Sequence, residues 1–151
     1  MTQPNRILLV EDNPNDVELT LRALADSHLA NEVTVVRDGA EALDYLYQRG
    51  DYVLRAPENP VLILLDMKLP KIDGVEVLRR LKDEERLKWI PVVIMTSARE
   101  EQQVVESYQL GVKAYVVKPV EFAQFSEALK TLGLFWLVIN HPPPEGRPPK
   151  S

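Results

Sequence analysis

The chain contains no cysteine, only two histidines, and just 7% aromatic residues in 151 positions. Without cysteine there is no disulfide and no thiolate metal centre, a composition that suits a reducing cytoplasm. His28 and His141 have no catalytic company at readable spacing and read as surface residues. Positive charge is not in excess either: 18 Lys and Arg against 23 Asp and Glu leave a net charge of −5. Nothing in the bulk charge therefore points to nucleic acid. The longest apolar run, Leu134 to Ile139, is far too short to span a membrane, and the opening MTQPNR has no apolar signal core. The expectation is a soluble, cytoplasmic protein with no nucleic-acid and no membrane partner.

What is present is ordinary for a globular domain: 45% apolar and 27% charged residues, in a length that suffices for one core. Apolar, β-branched runs recur at Ile7–Val10, Val33–Val36, Val61–Leu65, Val92–Met95 and Ala114–Val117. Helical spacing separates them: Val17, Leu21 and Leu24; then Ala40, Leu43, Leu46 and Tyr47. Val77, Leu78 and Leu81 follow, and then Val104, Val105, Tyr108 and Val112. A last stripe runs through Phe122, Phe125, Leu129, Leu132 and Trp136. Five strands alternating with five helices make an α/β protein with a parallel sheet covered on both faces. Two segments depart from that pattern. Tyr45 to Pro60 is a long connection rich in turn residues, and HPPPEGRPPKS holds too much Pro and Gly to pack.

The ends of the strands carry the chemistry. Strand one runs into Glu11-Asp12, strand three into Asp66, strand four into Thr96-Ser97 and strand five into Lys118-Pro119. In an open parallel sheet these positions gather at one edge. Three carboxylates brought together repel one another and call for cations. With hard oxygen ligands and no thiolate, Mg²⁺ fits best, since it takes one or two carboxylates and completes its shell with water or phosphate oxygen. Lys118 adds positive charge and Thr96 a hydroxyl. Singly, each has an ordinary explanation: Asp12 as a helix cap, Asp66 as a turn former, Asp73-Gly74 as turn and cap, Lys118 as a solvated lysine. Their joint occurrence at successive strand ends is what capping needs do not explain.

The segments ILLVEDNP, LILLDMKLPKIDG, PVVIMTSA and AYVVKP, in that order, resemble the receiver domain of two-component response regulators from about Arg6 to Leu132. The resemblance implies a flavodoxin-like fold with strand order 2-1-3-4-5. It implies that Asp66 accepts a phosphoryl group from a phosphohistidine of a partner histidine kinase. Glu11, Asp12, Asp66 and the backbone carbonyl of Lys68 would hold Mg²⁺. Lys118 would contact the phosphoryl oxygens, and Thr96 would hydrogen-bond them after transfer. Tyr115 would be the aromatic switch that turns when Thr96 moves, reshaping the helix 4–strand 5–helix 5 face, and Lys118-Pro119 would be cis. The role of Lys68 would be to lend a carbonyl while Pro70 and Gly74 shape the turn.

The Tyr45–Pro60 loop, LKWIPVVIMTSA and the terminal FWLV also resemble regulators that serve phytochrome-type histidine kinases, so a bacteriophytochrome is the expected input. Residues 1–133 are expected to form the receiver domain, and 134–151 an apolar helix extension with a Pro-rich tail. No room is left for a DNA-binding module. Output is therefore expected through a downstream protein target or a phosphotransfer protein, and through a homodimer with Phe135, Leu137 and Ile139 in its interface. The resemblance implies a chain that would take part in its own phosphorylation and dephosphorylation, with no separate turnover substrate expected. One alternative is a degenerate receiver used as a constitutive interaction or dimerisation module. A haloacid-type phosphatase is the other, but it would need a second acid where Lys68 stands and a cap domain for which there is no room.

Overall fold

Each of the β-branched runs becomes a strand in the computed structural model, which describes residues 6–25, 33–97 and 101–134. The strands are β1 (Ile7–Val10), β2 (Val33–Val36), β3 (Leu62–Asp66), β4 (Val92–Thr96) and β5 (Ala114–Val117). They lie parallel in the order β2-β1-β3-β4-β5, as expected. The helices are α1 (Pro14–Ala25), α2 (Gly39–Tyr47), α3 (Gly74–Asp83), α4 (Glu101–Gln109) and α5 (Phe122–Thr131).

Alternation along the strands divides the core in two. Ile7, Leu9, Leu62, Leu64, Val93, Met95, Ala114 and Val116 pack against α1 and α5, through Val17, Leu24, Phe125 and Leu129. Leu8, Val10, Ile63, Leu65, Val92 and Ile94 face the other way, onto Leu43 and Leu46 of α2 and onto Val77, Leu78 and Leu81 of α3. Central strands buried on both faces explain the unbroken apolar runs. The edge strand β5 instead alternates, with Tyr115 and Val117 exposed.

Two helical readings need correction. A single helix from Phe122 to Trp136 is not found, because α5 ends at Thr131. Gly133 has φ +73°, its N–H donates to Lys130 O at 3.1 Å, and the Leu134 N–H donates to Leu129 O at 2.7 Å. That pair of bonds around a left-handed glycine is a strong helix stop. The apolar periodicity ran straight through it. Leu134 is buried against the α1–α5 core, while Phe135, Leu137 and Ile139 lie outside the described residues. In α4, Tyr108 is not a core residue: it is exposed and meets the Tyr115 ring edge-on, with centroids 6.1 Å apart.

The Tyr45–Pro60 connection is built rather than loose. Its first residues complete α2, and a short 3₁₀ turn follows at Gly50–Tyr52. Arg55 lies over the Tyr45 ring at 4.2 Å and donates through Nε to Tyr45 O at 2.6 Å. Tyr52 donates to Glu41 Oε2, and Arg86 reaches across to Leu46 O and Asn59 Oδ1 at 2.8 and 2.9 Å. No described helix is long and apolar enough to cross a membrane.

Candidate functional site

At the carboxyl edge of the sheet, the parallel register brings the strand ends level. Val10 of β1 is opposite Leu65 of β3, and Asp66 is opposite Met95 of β4. Glu11 follows β1 directly, and its N–H donates to Val36 O at 3.0 Å, prolonging the β1–β2 ladder by one bond. Its side chain is fully buried, and Asp66 is 2% exposed. Lys118 follows β5, tied to β4 by its N–H bond to Thr96 O at 2.8 Å, and the Lys118-Pro119 peptide is cis.

These side chains converge. Lys118 Nζ lies 2.8 Å from Glu11 Oε1, 2.9 Å from Asp66 Oδ2 and 3.3 Å from Asp16 Oδ2. Glu11, Asp12 and Asp66 each offer a carboxylate oxygen within 4.8 Å of the others. Asp12 is exposed, at the mouth of an open depression of about 450 Å³ lined also by Lys68, Leu69, Pro70 and Asp73. Thr96 is buried, and its hydroxyl donates to Ser97 O at 3.0 Å. The backbone N–H of Lys68 donates to Asp66 Oδ1 at 3.3 Å, steadying the second oxygen of that carboxylate. A second cavity of similar size, about 460 Å³ and edged by Lys82, Trp89 and Lys113, opens beside the first residue of β4, at the other end of the strand from the acids.

The electrostatics are unbalanced. Burial pushes the Glu11 carboxyl up to about 7, with the adjacent Lys118 ammonium opposing it and the Asp66 charge adding to it. Burial likewise raises Asp66, against the lowering effect of Lys118 and of the hydrogen bond with Glu11. Burial alone would lower Lys118, but its bonds to Glu11 and Asp66 outweigh that and hold it above its usual range. One ammonium faces three carboxylates. Glu11 Oε1, though 2.8 Å from Nζ, is too obliquely placed to receive a true hydrogen bond and is otherwise without a partner. A buried carboxylate oxygen in that position, beside two more hard acceptors, fits a divalent cation such as Mg²⁺.

The loop that carries Asp66 is clamped between two glycines. A Cβ on Gly74 would strike Asp66 O and come within 2.9 Å of Met67 Cα, so α3 can start this close to the strand only with glycine there. A Cβ on Gly39, at the start of α2, would run into Ile72 O, and the Gly39 N–H donates to Pro70 O at 3.3 Å. Gly74 thus serves close approach and not a turn angle. The left-handed residue of the turn is Lys71, at φ +67°, whose Nζ is 3.5 Å from Asp38 Oδ2. The cap of α1 is also reassigned: Asn13 Oδ1, not Asp12, accepts from the Asp16 N–H at 3.1 Å. Asp12 is left for another task. No local pattern singles out Asp16 or Gly39, although Asp38-Gly39 repeats the Asp-Gly form of Asp73-Gly74, and Asp38 Oδ1 caps α2 by accepting from the Glu41 N–H at 2.7 Å.

The sequence profile of the response regulator receiver domain matches residues 7–130. This chain belongs to that family. It is 40% identical over 134 residues to the response regulator Rcp1 of Synechocystis sp., covering 89% of this chain and 90% of Rcp1. Among solved structures, the bacteriophytochrome response regulator RtBRR is 58% identical, with a TM-score of 0.82 over 95% of this chain and 86% of that one. The phosphorylated cyanobacterial phytochrome response regulator RcpA is 42% identical, with a TM-score of 0.74 over 91% and 96%. An Mn²⁺-bound form of Rcp1 aligns with a TM-score of 0.71 at 34% identity, over 98% and 100%. The receiver is therefore related to phytochrome regulators and belongs to two-component signalling.

Proposed function

We propose that this receiver is a phosphoacceptor in phytochrome signalling, with Asp66 taking a phosphoryl group from the phosphohistidine of a sensor kinase. The observation that carries the reading is the meeting of Glu11, Asp12, Asp66 and Lys118 at one edge of the sheet. An Asp66 oxygen attacks phosphorus, the P–N bond to histidine breaks, and the departing imidazole keeps the electron pair and is protonated. Alignment and positive charge around the phosphoryl oxygens are what this reaction needs from a protein. Asp66 is aligned by the rigid end of β3, and Lys118 donates to the transferred oxygens. Glu11, Asp12, Asp66 and the Lys68 carbonyl would hold Mg²⁺, which supplies the remaining positive charge. The Mn²⁺-bound form of Rcp1 supports a divalent ion in this role. In the full-length protein, Asp66→Asn should abolish labelling by a cognate kinase or acetyl phosphate. Labelling retained at another side chain would overturn the assignment.

After transfer, Thr96 turns its hydroxyl from Ser97 O to the phosphoryl group, and Tyr115 leaves its exposed position beside Tyr108 for the space vacated. A modest difference in interaction free energy between two packings suffices for such a shift, because phosphate adds roughly 1.5 to 2 negative charges. The reshaped α4–β5–α5 face binds a downstream protein or phosphotransfer partner, and no separate substrate is turned over. The likeness to RtBRR and RcpA supports a phytochrome-type kinase as input and a cytoplasmic setting. Phe135, Leu137 and Ile139 form a homodimer interface in this reading. Leu134 belongs to the domain core, so the deciding truncation ends after it. Light scattering should give a dimer for the full chain and a monomer for residues 1–134; equal masses would refute the interface.

A further inference from the structure

Asp16 lies in the first turn of α1, not at a strand end. Its Oδ2 reaches Lys118 Nζ at 3.3 Å, across 102 positions of sequence. The Asn13 cap holds its backbone, and its side chain is 29% exposed, so the carboxylate is fixed in place yet in touch with solvent. Lys118 thus faces three carboxylates and gives a hydrogen bond to two of them, Asp66 and Asp16, of the three N–H donors that an ammonium has.

The partners differ in kind. Glu11 and Asp66 belong with Asp12 to the cluster suited to a divalent cation, whereas Asp16 does not. Charge on Glu11 and Asp66 would be shared with a bound cation; among the described residues, the ion pair of Asp16 is with Lys118. A phosphoryl group on Asp66 then needs a donor from Lys118 and brings about two negative charges within a few ångströms of Asp16.

We propose that Asp16 is a positioning residue that competes with the phosphoryl group for Lys118 and so sets the bias against the phosphorylated form. The inference rests on Asp66 being the acceptor. With the site unphosphorylated, Asp16 draws the ammonium toward α1 and balances its charge. With the phosphoryl group present, Lys118 either shares its donors with Asp16 or gives up that contact, while the fixed Asp16 charge repels the new anion. Both effects act in one direction. A neutral side chain of equal size at position 16 relieves both.

The test uses beryllofluoride, which stands in for the phosphoryl group on aspartate, with the full chain in saturating Mg²⁺. Amide resonances of Thr96 and Lys118 would report binding to the unaltered protein, Asp16→Asn, Asp16→Glu and Asp66→Asn. Asp16→Asn should bind about three- to tenfold more tightly, in keeping with a partly screened charge at short range. Asp16→Glu should return toward the unaltered value, and saturating Mg²⁺ in every variant keeps any change in metal affinity out of the comparison. A merely structural role would weaken binding. Unchanged or weaker binding by a folded Asp16→Asn protein would overturn the proposal alone. No binding by the unaltered chain would remove the acceptor reading and this proposal with it.

Discussion

Glu11 is fully buried, touches Lys118 obliquely, and holds its proton up to about pH 7 where an ordinary glutamate would lose it near 4.5. Between those values the folded carboxyl is protonated and the unfolded one is not. Folding therefore takes up a proton there, and this group's contribution to stability falls as pH rises through the window. A divalent ion bound at Glu11 would displace that proton. Mg²⁺ affinity should accordingly climb with pH, by at most about tenfold per unit, and level off above about 7. Calorimetric titrations from pH 5.5 to 8.5 would check this, and a flat profile would contradict it. At this scale, Glu11, Asp12, Asp66 and Lys118 were legible because strand ends can be counted from apolar runs. Asp16 was not, because its contact to Lys118 spans 102 positions and depends on the first turn of α1 rather than on any strand.

Parity along the strands sorts the site. Residues 7, 9, 62, 64, 114 and 116 face α1 and α5, and Glu11, Asp66 and Lys118 continue that alternation. Thr96 continues the other one, with Ile94, on the side where Tyr115 and Val117 emerge. Glu11, Asp66 and Lys118 thus lie on one face of the sheet edge, and Thr96 and Tyr115, the switch pair of the proposed function, on the other. The strands themselves were readable to within a residue, since a doubly buried strand leaves a plain apolar run. The end of α5 was not, because its apolar stripe continued past the Gly133 stop. Nor was the role of Gly74, since its close approach to Asp66 O and Met67 is made across the turn and leaves no mark in the local pattern. Gly74→Ala should destabilise the fold by about 1–3 kcal/mol by overpacking. It should also weaken Mg²⁺ binding, because relief comes by shifting the Asp66–Met67 backbone. Denaturant unfolding and metal titration would test both; a variant with unaltered stability and affinity would show that α3 starts with slack.

Over the whole molecule, the acids that could hold a cation gather at one edge of the sheet. The sheet and two cores fix three acids and a lysine at one lip, and the clamped loop between Gly39 and Gly74 keeps Asp66 from drifting. The long Tyr45–Pro60 connection is fastened by Arg55, Arg86 and Tyr52. Turn-rich composition hid that fastening, because the ties run to carbonyls of α2 and to a side chain 27 positions away. The measurement that bears most directly on the whole account is paramagnetic broadening by Mn²⁺ of the amide spectrum of the full chain. Broadening should centre on residues 10–13, 66–69 and 117–118 and should be reversed by excess Mg²⁺. Broadening centred on the Lys82–Trp89 pole, or spread evenly over the surface acids, would contradict the account.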